Sequence, residues 1–332
     1  MIKWQIRFIH SKSVATFPSL FPLSAKPSAD SIKGKRRQHL NPWFVTGLID
    51  AEGCFSLGLS ANEKYKYNYK VALHFSMSLH EKDKDLLVRL KDFFGVGTVI
   101  KHGPASLQYK ISSVKDLSIL ILHCNNYPLI TKKRIDFELF KKAFDIFKTK
   151  LHLTDAGFNE ILSIRASINL GLGQNLILAF PNILAIEKPN IEDWKIQDPN
   201  WISGFTSGDG CFHVSLVKTS FTKTGYSVGL RFQLTQHNRD YELFKSLIDY
   251  LRCGRVEDNL KLSICNYVVY NFNDITNIII PFFDKYPIQG VKSLDFIDFK
   301  KIATLMKEKD HLDIEGIEKI IKIKSNMNKL RR

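Results

Sequence analysis

Nothing in the 332 residues is apolar for long enough to cross a membrane. The longest candidates, LSILIL and NIIIPFF, fall far short of the roughly 18 to 20 uncharged residues a span needs, so a soluble chain with no membrane partner is expected. Cysteine is sparse. Cys54, Cys124, Cys211, Cys253 and Cys265 form no CxxC or other zinc spacing, and the odd, scattered set suits reduced and mostly buried thiols. Cys54 and Cys211 read as small apolar core positions. No HExxH pair occurs, which removes zinc hydrolysis. The Gly-Leu-Gly at 171–173 has no preceding strand and no third glycine, so it reads as a helix stop rather than a phosphate loop. Acids are also short, at 33 against 48 Lys and Arg, giving a formal charge of +15. That excess points to a polyanion such as nucleic acid, with a merely basic soluble protein as the alternative. At 44% hydrophobic and 12% aromatic the composition is that of a globular protein.

What is present is a stretch said twice: WFVTGLIDAEGCF from Trp43 to Phe55 and WISGFTSGDGCF from Trp201 to Phe212. Each carries small residues four apart, Gly47 and Ala51 in one and Gly204 and Gly208 in the other. Such residues share a helix face, and small-xxx-small faces let two backbones approach closely. Each stretch ends in an acid before glycine, Glu52 or Asp209, where a helix is expected to stop. Paired helices bring both carboxylates to one end of their contact. Two such groups repel unless a cation lies between them, and oxygen-only ligation suits a hard ion such as Mg²⁺. Taken singly, Glu-Gly and Asp-Gly are commonly turn formers; the repetition favours the paired reading.

GLIDAEG and GFTSGDG resemble the two motifs of a single-chain LAGLIDADG homing endonuclease, with the resemblance running from about Asn41 to the C-terminus. It implies that Glu52 and Asp209 are the metal-binding catalytic acids. The second copy departs from the pattern at Ser207, where the first has Asp50; this touches packing or capping rather than the metal ligands, and puts equal activity on both strands in question. It further implies that Lys133 and Lys292, five residues after Pro128 and Pro287, stabilise the transition state or position a water, with Lys132 as a rival to Lys133. Gln236 resembles a residue that orients solvent, although its counterpart is Leu79.

Residues 1–40 hold eight basic residues against one acid, Asp30, and are rich in Ser and Pro. They read as a flexible basic arm, a leftover of an upstream frame, or a transit peptide; with the organellar, intron-encoded members of the family in view, a mitochondrial location is expected. From Lys64 to Met77 polar and apolar residues alternate, predicting a strand. Lys64, Lys66, Asn68, Lys70, His74 and Ser76 form its polar side, suited to a DNA major groove, although a plain solvated face shows the same pattern. A helix through Leu86, Leu87, Leu90, Phe93 and Phe94, two short strands, and helices ending at Pro128 and beginning near Lys132 complete the half.

The second half repeats the first. Glu52 and Asp209, Phe75 and Phe232, and His80 and His237 are each 157 positions apart. Its polar strand face is Ser227, Arg231, Gln233 and Thr235. His80 and His237 are expected to cap rather than to ligate. The predicted organisation is an arm at 1–40, a first repeat at 41–150, a linker with a helix running to Gly171 or Gly173 at 151–199, and a second repeat at 200–332. The fold class is α+β, two pseudo-symmetric α-β-β-α-β-β-α repeats whose curved antiparallel sheets form a DNA-binding saddle, packed through the motif helices. The function expected is a monomeric, Mg²⁺-dependent, site-specific endonuclease that breaks double-stranded DNA at a long asymmetric target in intron homing. The alternatives are a maturase that binds its own group I intron RNA, and a transcriptional regulator on the same fold.

Overall fold

Helix α1 (Pro42–Glu52) starts where Asn41, in extended conformation, accepts from the amide of Trp43 at 2.8 Å, and Pro42 supplies a preset first turn. Helix α7 (Pro199–Asp209) starts the same way from Asp198 and Pro199. The computed structural model describes residues 39–192 and 195–328; the basic arm expected at 1–40 therefore lies, up to residue 38, outside the described residues. Both motif helices stop at the acid as expected, but neither ends in a left-handed glycine. Gly53 (φ −72°) and Gly210 (φ −84°) are extended and begin a strand at once. Glycine is needed there for room: a Cβ on Gly53 would sit 2.7 Å from the Ile49 carbonyl and 3.0 Å from the Phe75 ring, and one on Gly210 would sit 2.6 Å from the Thr206 carbonyl.

From α1 the chain enters β1 (Gly53–Ala61) and β2 (Tyr69–His80), then α2 (Lys84–Phe94), β3 (Thr98–Lys101), β4 (Ser106–Ile111), α3 (Val114–Asn126), α4 (Lys133–Lys148) and α5 (Asp155–Ser167). A short α6 (Gln174–Ala179) interrupts the connector. The second half runs α7, β5 (Gly210–Lys218), β6 (Tyr226–His237), α8 (Tyr241–Leu251), β7 (Arg255–Asn259) and β8 (Ile264–Val269). It continues through α9 (Phe272–Asp274), a π turn (Ile275–Ile279) and α10 (Ile280–Lys285) to α11 (Lys292–Lys307) and α12 (Ile314–Lys324). The π turn precedes Pro281, whose missing N–H breaks the ladder that runs regularly through α3. The sheets are antiparallel, ordered β1-β2-β4-β3 and β5-β6-β8-β7.

Two boundaries differ from expectation. The strand predicted from Lys64 starts only at Tyr69, because Asn68 turns left-handed (φ 57°) and its carbonyl accepts from Asn62 at 2.7 Å. Lys64, Lys66 and Asn68 thus lie in the hairpin loop. Lys66 and Tyr67 are drawn instead to Asp155 at the start of α5. The repeat also does not stop at 150. The amide of Asn169 donates to Asp136 and its side chain to the Phe55 carbonyl; Asn328 makes the same pair of bonds to Asp295 and Phe212. Helix α5, expected to reach Gly171 or Gly173, ends at Ser167 and belongs to the first repeat as α12 belongs to the second.

Each half has its own core. Phe55 packs on Phe75, Phe137 and Phe140, and Phe212 on Phe232, Phe283, Phe296 and Phe299. Among the described residues no helix is long and apolar enough to cross a membrane. His80 and His237 cap the turns after β2 and β6, accepting from Lys82 and Arg239. His123 is buried against Phe93, Phe94 and Tyr127 and bonds Thr46.

Two measurements follow from this packing. A Cβ on Gly47 would strike the carbonyl of Trp201 and come within 2.8 Å of the Phe205 amide, both backbone. Gly47→Ala is therefore expected to lower unfolding free energy by about 1–3 kcal/mol or more, read from urea denaturation. Burial pulls the pKa of His123 from 6.5 to about 4, so the unfolded chain binds the extra proton between those values. Stability present above pH 6.5 should fall as pH drops toward 4, by up to about 3 kcal/mol. His123→Phe should flatten that part of the stability profile.

Candidate active site at the motif-helix contact

The α1–α7 contact is made backbone to backbone. A Cβ on Gly204 would fall on the Phe44 carbonyl, and one on Gly208 would lie 2.5 Å from the Cβ of Ala51 and 2.9 Å from Cγ of Glu52. The last of these distances shows how close Glu52 stands to the end of the opposite helix. Polar clasps hold both helices to their own halves. Thr46 donates to the Tyr127 carbonyl at 3.0 Å, and Ser203 to the Tyr286 carbonyl at 2.6 Å.

Asp50 is the strongest clasp. It is fully buried and accepts from the amides of Ile130 and Thr131, from the Thr131 hydroxyl at 2.6 Å, and from Nε1 of Trp201 across the contact at 2.8 Å. Burial raises its pKa, against the pull of these donors. The departure at Ser207 now has a cause. Trp201, 157 positions on from Phe44, offers Asp50 an indole N–H, whereas Phe44 has none to offer residue 207. Ser207 instead accepts from the Gln289 amide at 3.2 Å and donates to the Ser203 carbonyl.

Beyond these clasps stand Glu52 and Asp209. Burial raises the pKa of Glu52, against the attraction of Lys292 and Lys133. Burial and the neighbouring Glu52 push Asp209 up to about 6. Both lysines are pulled down by burial and held up by these same acids, together with Asp50 for Lys133. The Lys133 ammonium donates to the carbonyls of Ile49 and Ala51, and that of Lys292 to the carbonyl of Gly208. The Lys132 ammonium donates to the Ile191 carbonyl. Two carboxylates and two ammonium groups thus share one poorly solvated spot. An open cleft of about 1180 Å³ adjoins it, lined by Glu52, Gly208, Cys211, His213 and Lys292.

The sheet faces flank this spot. Partner residues of antiparallel strands share a face, so Lys70, His74 and Ser76 of β2 lie with Ser60, Ser56 and Cys54 of β1. Ser76 is itself buried. Arg231 and Gln233 of β6 lie with His213 and Cys211, Ser227 with Val217, and Thr235 with Asn266 of β8. Gln233, Thr235 and Asn266 bond one another at 2.7–2.8 Å. Gln236 pairs with Cys265 at the end of β6, and its Oε1 accepts from the His237 amide. Cys54 and Cys211 therefore correct the reading of a core pair: Cys54 is exposed, Cys211 half-buried, and both are on the polar face. The short strands also add Lys110, Asn266 and Arg255, which sequence alternation missed because four to six residues carry too little pattern and only the register places them.

Among the described residues no group of three or more His, Cys, Asp or Glu side chains converges. Glu52 and Asp209 are nonetheless a donor set for a hard cation that completes its shell with water and phosphate oxygens, and a cation there would relieve the mutual repulsion that raises Asp209.

A sequence model of the LAGLIDADG endonuclease family matches residues 45–144 and 202–303. The chain is 40% identical over 284 residues to probable intron-encoded endonuclease 3 of Neurospora crassa, covering 85% of this chain and 53% of that protein. It is 36% identical over 301 residues to probable intron-encoded endonuclease 2 of the same organism, covering 87% and 65%. The chain thus spans between about half and two thirds of these relatives. Among solved structures it resembles the I-SmaMI LAGLIDADG homing endonuclease bound to cleaved DNA, at 44% identity and TM-score 0.87 over 88% of this chain and 98% of that one. The LAGLIDADG meganuclease I-CpaMI bound to uncleaved DNA matches at 42% identity and TM-score 0.84, over 87% and 100%.

The Asp50 clasp yields a stability test. Asp50→Ala strands buried donors in the segment before α4 and on α7 and should cost on the order of 3 kcal/mol or more, measured by chemical denaturation. Ser207→Ala, which loses one weak acceptor, should cost about 1 kcal/mol.

Proposed function

The chain belongs to the LAGLIDADG endonuclease family, and from that premise we propose that it is a monomeric, site-specific endonuclease that breaks both strands of a long, asymmetric DNA target in intron homing. The observation that carries this reading is the convergence of Glu52 and Asp209, one from each half, beside two half-buried lysines and between two polar sheet faces. Phosphate contacts by the basic surface set register, and side chains such as Lys70, His74, Ser227, Arg231, Gln233 and Thr235 read base edges. Lys64, Lys66 and Asn68, in the loop, reach the flanking backbone. The two faces differ in composition, so the half-sites differ. Names of relatives that place them in ND4 and Cox1 introns support a mitochondrial intron as the source.

Glu52 and Asp209 are assigned to hold the divalent ion, with Mg²⁺ favoured by the all-oxygen donor set. When bound, the metal supplies charge neutralisation at the scissile phosphate and lowers the pKa of water. Held by burial beside the acids, Lys133 and Lys292 donate to phosphate oxygens or fix the attacking water. In the I-SmaMI relative, alanine variants replace two lysines 159 positions apart, the separation of Lys133 and Lys292. Gln236 is proposed to orient solvent from its strand end. Retention of both acids favours cleavage over the intron-RNA maturase reading, which would tolerate their loss.

The test is selection of cleaved duplexes from a randomised library with Mg²⁺, followed by rates on the selected site. Glu52→Gln and Asp209→Asn are each expected to slow cleavage by roughly 10²- to 10³-fold or more, and EDTA to abolish it. Undiminished cutting by either variant would contradict the assignment; intact DNA with tight binding of intron RNA would favour the maturase.

A further inference from the structure

Helices α4 and α11, whose first residues are Lys133 and Lys292, each have an N-cap residue whose side chain makes no cap bond, Lys132 and Val291. These are poor choices where Ser, Thr, Asp or Asn is usual. The Thr131 hydroxyl accepts from the Lys133 amide at 3.2 Å, but the acceptor for the N-cap residue's own amide comes in each case from the other half of the molecule. Asp240, in the turn after β6, accepts from the Lys132 amide at 2.6 Å, and Asp83, in the turn after β2, accepts from the Val291 amide at 2.7 Å.

The exchange is built rather than incidental. Asp83 and Asp240 occupy the same place in the two repeats, each closing a three-residue turn whose start is fixed by a histidine cap, His80 or His237. Asp240 is buried, and Asp83 half-buried. Opposite Asp83 the chain carries Gly290 at φ +72°, where a Cβ would collide with the carboxylate. Arg89 adds a cross-half bond to Gln289 at 2.8 Å. A carboxylate at a helix N-terminus takes up an otherwise unpaired amide and faces the positive end of the dipole. Removing it frees the first turn, and the first turn holds the lysine.

We infer that Asp83 and Asp240 are reciprocal positioning residues, Asp240 placing Lys133 and Asp83 placing Lys292, so that the lysine of each half is set by an acid from the other. This rests on the nuclease reading for its effect on cleavage, though not for the structural coupling. The consequence is strand selectivity. Loss of one acid displaces one lysine and leaves the other in place.

The experiment compares Asp83→Ala and Asp240→Ala with Asp83→Asn and Asp240→Asn in the full chain, on the selected duplex labelled on each strand. Each alanine variant is expected to slow one strand by roughly tenfold to a hundredfold, the two variants affecting opposite strands, while kcat changes more than KM. The asparagine variants keep an acceptor oxygen and should restore most of the rate, which separates capping from the charge of Asp83 near Glu52. Hydrogen exchange supplies the arm that needs no cleavage. Asp240→Ala should speed exchange at the first turn of α4 and leave that of α11 unchanged, and Asp83→Ala the reverse. Equal slowing of both strands, asparagine as harmful as alanine, or unchanged exchange at both helix starts would overturn the inference. A wild-type chain that cuts no duplex would instead sink the nuclease reading, while the exchange data still decided the coupling.

Discussion

The structure depends on two helices lying closer than any side chain would allow. Gly47 faces the backbone of Trp201 and Phe205, Gly204 faces that of Phe44 and Leu48, and Gly208 faces Ala51 and Glu52. Helices usually pack at 8–10 Å through interdigitated side chains; here the absence of side chains is what brings the two repeats together. Because the acids follow directly, at Glu52 and Asp209, closeness of the helices becomes closeness of the carboxylates. The same residues that join the halves define the site.

Such a contact has little apolar area at its centre, so it is clamped from outside. Asp50 and Trp201 bind across it, Thr46 and Ser203 tie each helix to the carbonyl before a proline, and Asp83 and Asp240 reach over to cap the helices that bear the lysines. The result is a half-buried cluster of charges whose two ammonium groups are held by the carbonyls of Ile49, Ala51 and Gly208. That preorganisation, with two carboxylates raised by burial and two ammonium groups lowered by it, suits electrostatic catalysis on a phosphodiester.

Much of this was legible in the sequence. The doubled motif gave the helix pair, its small residues and its acids, and the offset of 157 positions carried one repeat onto the other. What escaped had physical reasons. Period two continued past the strand into the 62–68 loop because Lys64, Lys66 and Asn68 happen to alternate with tyrosines, and only the left-handed turn at Asn68 shows where pairing stops. Cys54 and Cys211 looked like core residues because cysteine usually is, yet the strand starting at Gly53 or Gly210 turns them to the polar side. The role of α5 in the first repeat rests on Asn169, whose two bonds reach positions 33 and 114 residues away. Cross-half caps are invisible to local capping rules, since the acceptor lies 108 or 208 residues from its donor.

One carboxylate from each half, Glu52 and Asp209, is proposed to serve a common cation cluster. Titration of Mn²⁺ into the protein bound to its selected duplex, followed by water-proton relaxation, tests it without any cleavage step. Loss of Glu52 or of Asp209 alone is expected to weaken the same binding event, at least tenfold in each case, with the duplex still bound. Mn²⁺ affinity unchanged in both single variants would contradict the account.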